Sequence, residues 1–115
     1  MEFKTDRYYI RYDPNTVTLI CQGSLRLYGG KEYALITELL NMIADQKPAT
    51  ITLDLRALQF LNSSGINAFC RFVIRVRDHK ASQLIVQGTL QIPWQPKSLK
   101  NFQRLMPDLR VDLEI

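Results

Sequence analysis

Apolar residues in this chain recur with two periods that take turns along its length, and that alternation limits the fold more than any single residue does. Tyr8, Ile10 and Tyr12 alternate with Tyr9, Arg11 and Asp13, the period of a strand with one buried face. Asp13-Pro14-Asn15 supplies turn chemistry. Alternation then resumes from Thr16 to Leu27, with Val17, Leu19, Cys21, Leu25 and Leu27 on one face, which predicts a β-hairpin. Gly29-Gly30 reads as a turn that breaks the strand. Beyond it, Tyr33, Ile36, Leu40 and Ile43 fall at spacings of three and four, a helical stripe ended by Pro48. Ile51, Leu53 and Leu55 return to period two. Ser63-Ser64-Gly65 opens a second helix with the stripe Ile66, Phe69, Val73 and Val76. Leu84 to Val86 is a short strand. Leu99, Phe102 and Met106 mark a third helix closed by Pro107, and Leu109, Val111, Leu113 and Ile115 a last strand.

The order β-β-α-β-α-β-α-β predicts an α/β fold: a mixed five-stranded sheet with three amphipathic helices, joined by right-handed parallel crossovers. With 115 residues, 46% of them hydrophobic and 23% charged, residues 1–115 suit a single domain with enough apolar surface to fold. Cys21 and Cys70 stand apart in apolar surroundings and read as small core hydrophobes. A zinc site needs about four Cys or His ligands; with His79, the chain holds three such residues, and no metal or other cofactor is expected. The N-terminus lacks the apolar run of a signal peptide, and no stretch approaches the length of a membrane span. These absences give a cytoplasmic expectation.

The segment Phe60-Leu61-Asn62-Ser63-Ser64-Gly65-Ile66-Asn67 carries the most chemistry. A strand ends there and two hydroxyls lead into a helix, whose first amides lack internal partners and carry partial positive charge. A phosphate on Ser64 would sit in that field and be held by it. The competing reading is structural: serine is a favoured N-cap, so Ser63 or Ser64 serves only to satisfy an amide. Capping uses one hydroxyl, and the sequence supplies two. Gly65 reads as a place where a partner approaches closely.

The run Leu53-Asp54-Leu55-Arg56-Ala57-Leu58-Gln59-Phe60-Leu61-Asn62-Ser63-Ser64-Gly65-Ile66 resembles the central motif of STAS domains of the anti-sigma-factor antagonist type, D-x-S-x-V-x-F-(I/M)-D-S-(S/T)-G-L. Gly23-Ser24-Leu25 stands where that family has G-E-L, and the order of elements matches along nearly the whole chain. The resemblance implies a regulatory phosphoprotein of bacterial signal transduction and transcription regulation, not an enzyme. Its implied phosphorylation site is Ser64, with Ser63 second. Its implied partners are a GHKL-type serine kinase that doubles as the anti-sigma-like binding partner, and a PP2C-like phosphatase that resets the hydroxyl. The chain looks like a divergent member, because Asn62 replaces the family's Asp before the serine pair and Arg26 replaces the Asp after G-E-L. Both changes bear on which kinase would recognise it.

Residues around Ser64 are then the expected partner surface: Ser24, Arg26, Asn62, Ser63, Gly65 and Asn67, with Arg71 and Arg75 sharing one face of the helix. Aliphatic side chains of Gly23–Tyr28 would form its apolar centre. A phosphoserine adds about −1.5 to −2 charges, and the expected effect is release of the partner by surface repulsion, without refolding. Other classes remain open. A net charge of +4 and the basic residues Arg71, Arg75, Arg77, Lys97, Lys100 and Arg104 allow a nucleic-acid-binding module, although acidic residues are interspersed. A STAS domain that binds a protein or small ligand without phosphorylation is a further alternative. Hydrolytic chemistry would pair Ser64 with His79, which lies roughly 20 Å along the same helix at 1.5 Å per residue. No Gly-rich phosphate loop of the usual patterns is present, and Tyr8, Tyr9, Tyr12 and Trp94 read as packing residues.

Overall fold

Each alternating stretch becomes a strand that pairs with its neighbour in sequence. The structure, a computed structural model describing residues 1–115, contains one sheet in the order β1-β2-β3-β4-β5-β6. The strands are β1 (Glu2–Lys4), β2 (Tyr8–Asp13), β3 (Thr18–Leu25), β4 (Thr50–Leu61), β5 (Gln83–Thr89) and β6 (Arg110–Glu114). The helices are α1 (Gly29–Glu32), α2 (Ala34–Asp45), α3 (Ser63–His79) and α4 (Gln95–Leu105). β1, β2 and β3 are antiparallel, whereas β3, β4, β5 and β6 run parallel. The α/β class, the hairpin and the three crossovers are as expected.

Two counts differ from the expected ones. The sheet has six strands, because Glu2–Lys4 pairs with β2 through Phe3 opposite Ile10; three residues are too few to display a period. There are four helices, because Gly29-Gly30 begins a single helical turn instead of a simple turn. The Glu32 carboxylate accepts the Tyr28 amide at 3.1 Å, and the Tyr33 amide bonds to Gly29 O. A local cap therefore closes this turn.

Three right-handed crossovers stepping in one direction across the sheet place α2, α3 and α4 on the same face. That face holds one core, into which Ile10, Leu19, Leu25, Leu53, Leu55 and Val86 point from the sheet, meeting Ile43, Phe69, Val73 and Phe102 from the helices. Cys21 is wholly buried there and Cys70 is half-buried, packed against the core. The other face is polar. Arg56 bonds Asp54 and Glu114 across it, and Arg110 bonds Asp112. Burial by itself would raise the Asp54 carboxyl, but hydrogen bonds from Arg56 outweigh it and hold Asp54 below the ordinary carboxylate range.

β4 outruns β5: Thr50 to Asp54 pair with it, while Ala57 to Leu61 pair with β3 alone. The carbonyls left over are taken up by α4. Gln95 is wholly buried; its Nε2 donates to Leu55 O at 2.6 Å and Leu58 O at 3.1 Å, and its Oε1 accepts the Thr89 amide. Trp94 Nε1 also donates to Leu58 O. A Cβ at Gly88 would strike Leu99 and the Gln95 amide, so glycine there leaves room for this plug.

Candidate functional site

The ends of β3 and β4 lie side by side, with Ser24 beside Phe60 and Leu25 beside Leu61, and the chain turns directly from β4 into α3. Asn62 makes that turn work. Its backbone is extended, and its Oδ1 accepts the Gly65 amide at 3.0 Å, so Asn62 is the N-cap of α3. The same oxygen accepts the Tyr33 hydroxyl at 2.8 Å, while Nδ2 donates to Leu27 O at 2.6 Å. Only one orientation of the amide meets a carbonyl and these donors together. Burial pushes the Tyr33 hydroxyl up to about 12, so at neutral pH it stays a donor.

Neither serine caps the helix, contrary to the structural reading of the sequence. The cap is Asn62, and both hydroxyls are spared for other uses. Ser63 is exposed; Ser64 is partly buried, and its Oγ accepts the Gly29 amide at 3.2 Å. The loss of charge at Asn62 relative to the family's Asp is matched by a gained donor, since a carboxylate could not bond Leu27 O. Gly65 is buried, and a Cβ there would overlap Leu61 and come within 2.6 Å of the Tyr33 hydroxyl. Internal packing by itself requires glycine here.

The remaining expected residues separate into two groups. Asn67 and Arg71 are exposed on α3 along the line that starts at Ser64, and Arg71 is in no salt bridge. Arg75 continues that line but is held by Asp45 through Nε and Nη2, at 2.7 and 2.8 Å, so it is not a free docking cation. Arg26 lies over the Phe60 ring, 4.1 Å from its centroid, beside Ser24 on β3. The aliphatic centre expected in Gly23–Tyr28 is not there: Leu25 is wholly buried and Leu27 half-buried. The exposed apolar surface at this end is aromatic, Phe60 and Tyr28, the latter 76% exposed. Gly23, with φ +89°, accommodates the close approach of Arg7 O, where a Cβ would collide.

His79 stands at the far end of α3 with Nε2 2.8 Å from Asp45, well away from Ser64. A cavity of about 710 Å³ also lies at that far end, between Val76, Lys80, Ser82 and Met106. Neither it nor the clefts of about 260 and 290 Å³ elsewhere touches Ser63, Ser64 or Asn67. The serine end is a polar surface around a helix start, with aromatics at its border. Tyr28, at the edge of the expected apolar centre, belongs to it, as do Gly29 and Tyr33, which the sequence marks only as a turn and a stripe residue. The one available signal was a tyrosine, with a hydroxyl to satisfy, at a core position of a helical stripe.

A family model for the STAS domain matches residues 11–92, well over half of the chain and the whole of this serine end. The chain belongs to the STAS domain family. The fold is similar to that of SiaC of Pseudomonas aeruginosa, at 15% identity and a TM-score of 0.68, covering 100% of this chain and 97% of that one. Apo-SiaC from the same organism gives 11% identity and a TM-score of 0.73, covering 100% and 99%. A chain in the complex of the diguanylate cyclase SiaD with its activator SiaC, also from Pseudomonas aeruginosa, gives 15% identity and 0.72, covering 98% and 97%. Comparison with curated protein sequences found no match. No helix of this STAS domain is long and apolar enough to cross a membrane.

Proposed function

We propose that this STAS domain is a protein-binding regulatory module, switched by phosphorylation of Ser64, and not a catalyst. The carrying observation is that Asn62 has taken the capping role, leaving the Ser64 hydroxyl as an acceptor for Gly29 N–H at the start of a 17-residue helix. In the step, Ser64 Oγ attacks the γ-phosphorus of ATP bound to a GHKL-type serine kinase. The bond to ADP breaks, and the hydroxyl proton passes to a base on the kinase. A PP2C-like phosphatase adds water, returning the hydroxyl and inorganic phosphate. Ser63, more exposed but adjacent, is the second candidate acceptor.

The phosphorylated residue occupies the second position of α3, where the helix dipole and free amides favour negative charge. The fold therefore tolerates the modification and the change falls on the surface. Burying an unmatched dianion in an interface costs several kcal/mol, enough to release a micromolar partner. Asn67 and Arg71 on α3, Ser24 and Phe60 at the ends of β3 and β4, and Arg26 just past β3 form the surface a partner would cover. SiaC, which shares the fold, is found in complex with the cyclase it activates. That supports an enzyme as the kind of partner; the second reading is that such a partner is bound without any phosphorylation.

The test is to purify the chain with its partner from its own cells, then measure that partner's affinity for Ser64→Ala and Ser64→Asp. The switch reading expects the Ala variant to bind and the Asp variant to lose at least ten-fold. Equal binding by both variants overturns it in favour of the second reading.

A further inference from the structure

The same site has a mechanical connection to the segment before α2. Gly29 N–H is the one backbone donor that reaches the Ser64 hydroxyl, 35 residues away in sequence, and α1 buries none of its residues. Its upstream end is fixed by Asn62, whose Nδ2 holds Leu27 O, and its downstream end by Tyr33, wholly within the core. Between these two anchors lie Tyr28, Gly29, Gly30, Lys31 and Glu32, all exposed. Gly29 has φ +67°, and a Cβ built on either glycine would meet no other part of the molecule within 4 Å. Within the segment the Tyr28 amide bonds the Glu32 carboxylate and the Tyr33 amide bonds Gly29 O, so it is one closed turn, and the Ser64 hydroxyl is the α3 side chain that holds it. Next to the tethered amide sits Tyr28, an aromatic ring 76% exposed.

Resting on the switch reading above, we infer that the state of Ser64 is passed to residues 28–32, so that Tyr28 is a partner-contacting residue whose position depends on the modification. An ester oxygen is a poorer acceptor than a hydroxyl, and the phosphoryl oxygens, stronger acceptors, lie farther out along the side chain. Gly29 N–H must therefore leave Oγ and follow the phosphoryl group, with the Gly30 amide free to join it. Tyr28 moves with them. Partner release then has two sources: the added charge, and withdrawal of an aromatic side chain from the place where the partner meets it.

Phosphoserine installed at position 64 during translation tests this without any kinase, so its failure is separate from failure of the switch reading. Amide spectra of the modified and unmodified chains are expected to differ at residues 27–32 as well as around residue 64, with α2 and the sheet unmoved. In unmodified protein, Ser64→Ala should speed hydrogen exchange at the Gly29 amide about ten-fold or more, and Ser63→Ala should leave it unchanged. Tyr28→Ala should weaken the purified partner ten-fold while leaving the melting temperature alone. Modified-minus-unmodified changes confined to residues 60–70, or Gly29 exchange that ignores Ser64→Ala, would overturn the inference. So would loss of the native spectrum throughout.

Discussion

Asn62 illustrates how much of this site rests on one side chain. Its amide caps α3, holds the β3–α1 connection through Leu27 O and satisfies the Tyr33 hydroxyl inside the core. Replacing Asn62 by Ala removes a cap, typically worth about 1 kcal/mol, and strands two part-buried polar groups at about 1–3 kcal/mol each. A loss of about 3–7 kcal/mol in urea denaturation is therefore expected, whereas Ser63→Ala should stay within about 0.5 kcal/mol. If the serine variant proves the more costly, the cap has been assigned to the wrong residue. The motif's position was legible from local sequence, since Asx and Ser before a helical stripe mark its start. Its division of labour was not, because Tyr33 lies 29 residues away and Leu27 lies 35 away. The same holds for Gly65, where the deciding neighbours, Leu61 and Tyr33, come from two other elements.

At the level of elements, the helices were legible from their stripes, while the bonds that fix them to one another were not. Arg75 was expected to serve a partner, yet it crosses to Asp45, the last residue of α2, where His79 also bonds. An acid at a helix C-terminus is unfavourable by itself; two groups from α3 offset that. Hydrogen bonds from Arg75, then from His79, hold the Asp45 carboxyl well below its usual range. A group lowered in the folded state contributes stability that is present above its unfolded value, about 3.9. That contribution is lost as pH falls through the folded value. Thermal melts should therefore place Asp45→Asn below the parent at neutral pH, with the gap closing as pH drops beneath about 4. A gap that stays constant to the lowest pH would show that the ion pair is not its source. Gln95 belongs to the same lesson: it looks like an ordinary polar residue after Trp94, and becomes a plug only because β4 is longer than its neighbour β5.

Seen whole, the molecule puts its helices on one face of the sheet and gathers the ends of β3 and β4, the start of α3 and the α1 turn at one end. Phosphorylation at that end should leave the rest untouched. A dianion at a helix N-terminus contributes about 0.3–1 kcal/mol in favour of the fold, so the phosphoserine chain should keep its far-ultraviolet circular dichroism and melt no lower than the parent. A markedly lower melting temperature would mean that the modification acts by unfolding.

The sequence by itself determined the alternation of strands and helices, the parallel crossovers and the place of the two serines, because each is written in a local period or a local turn. Tertiary structure alone decided that Asn62 is the cap, that Gly65 faces inward, that Arg75 is engaged and that Gly29 reaches Ser64. Apart from the cap bond between Asn62 and Gly65, those outcomes depend on contacts between residues about 29 to 35 positions apart, which no period along the chain records. The short β1 and the α1 turn fall between the two cases, too brief to show a period and held by pairing and capping that only the folded chain supplies.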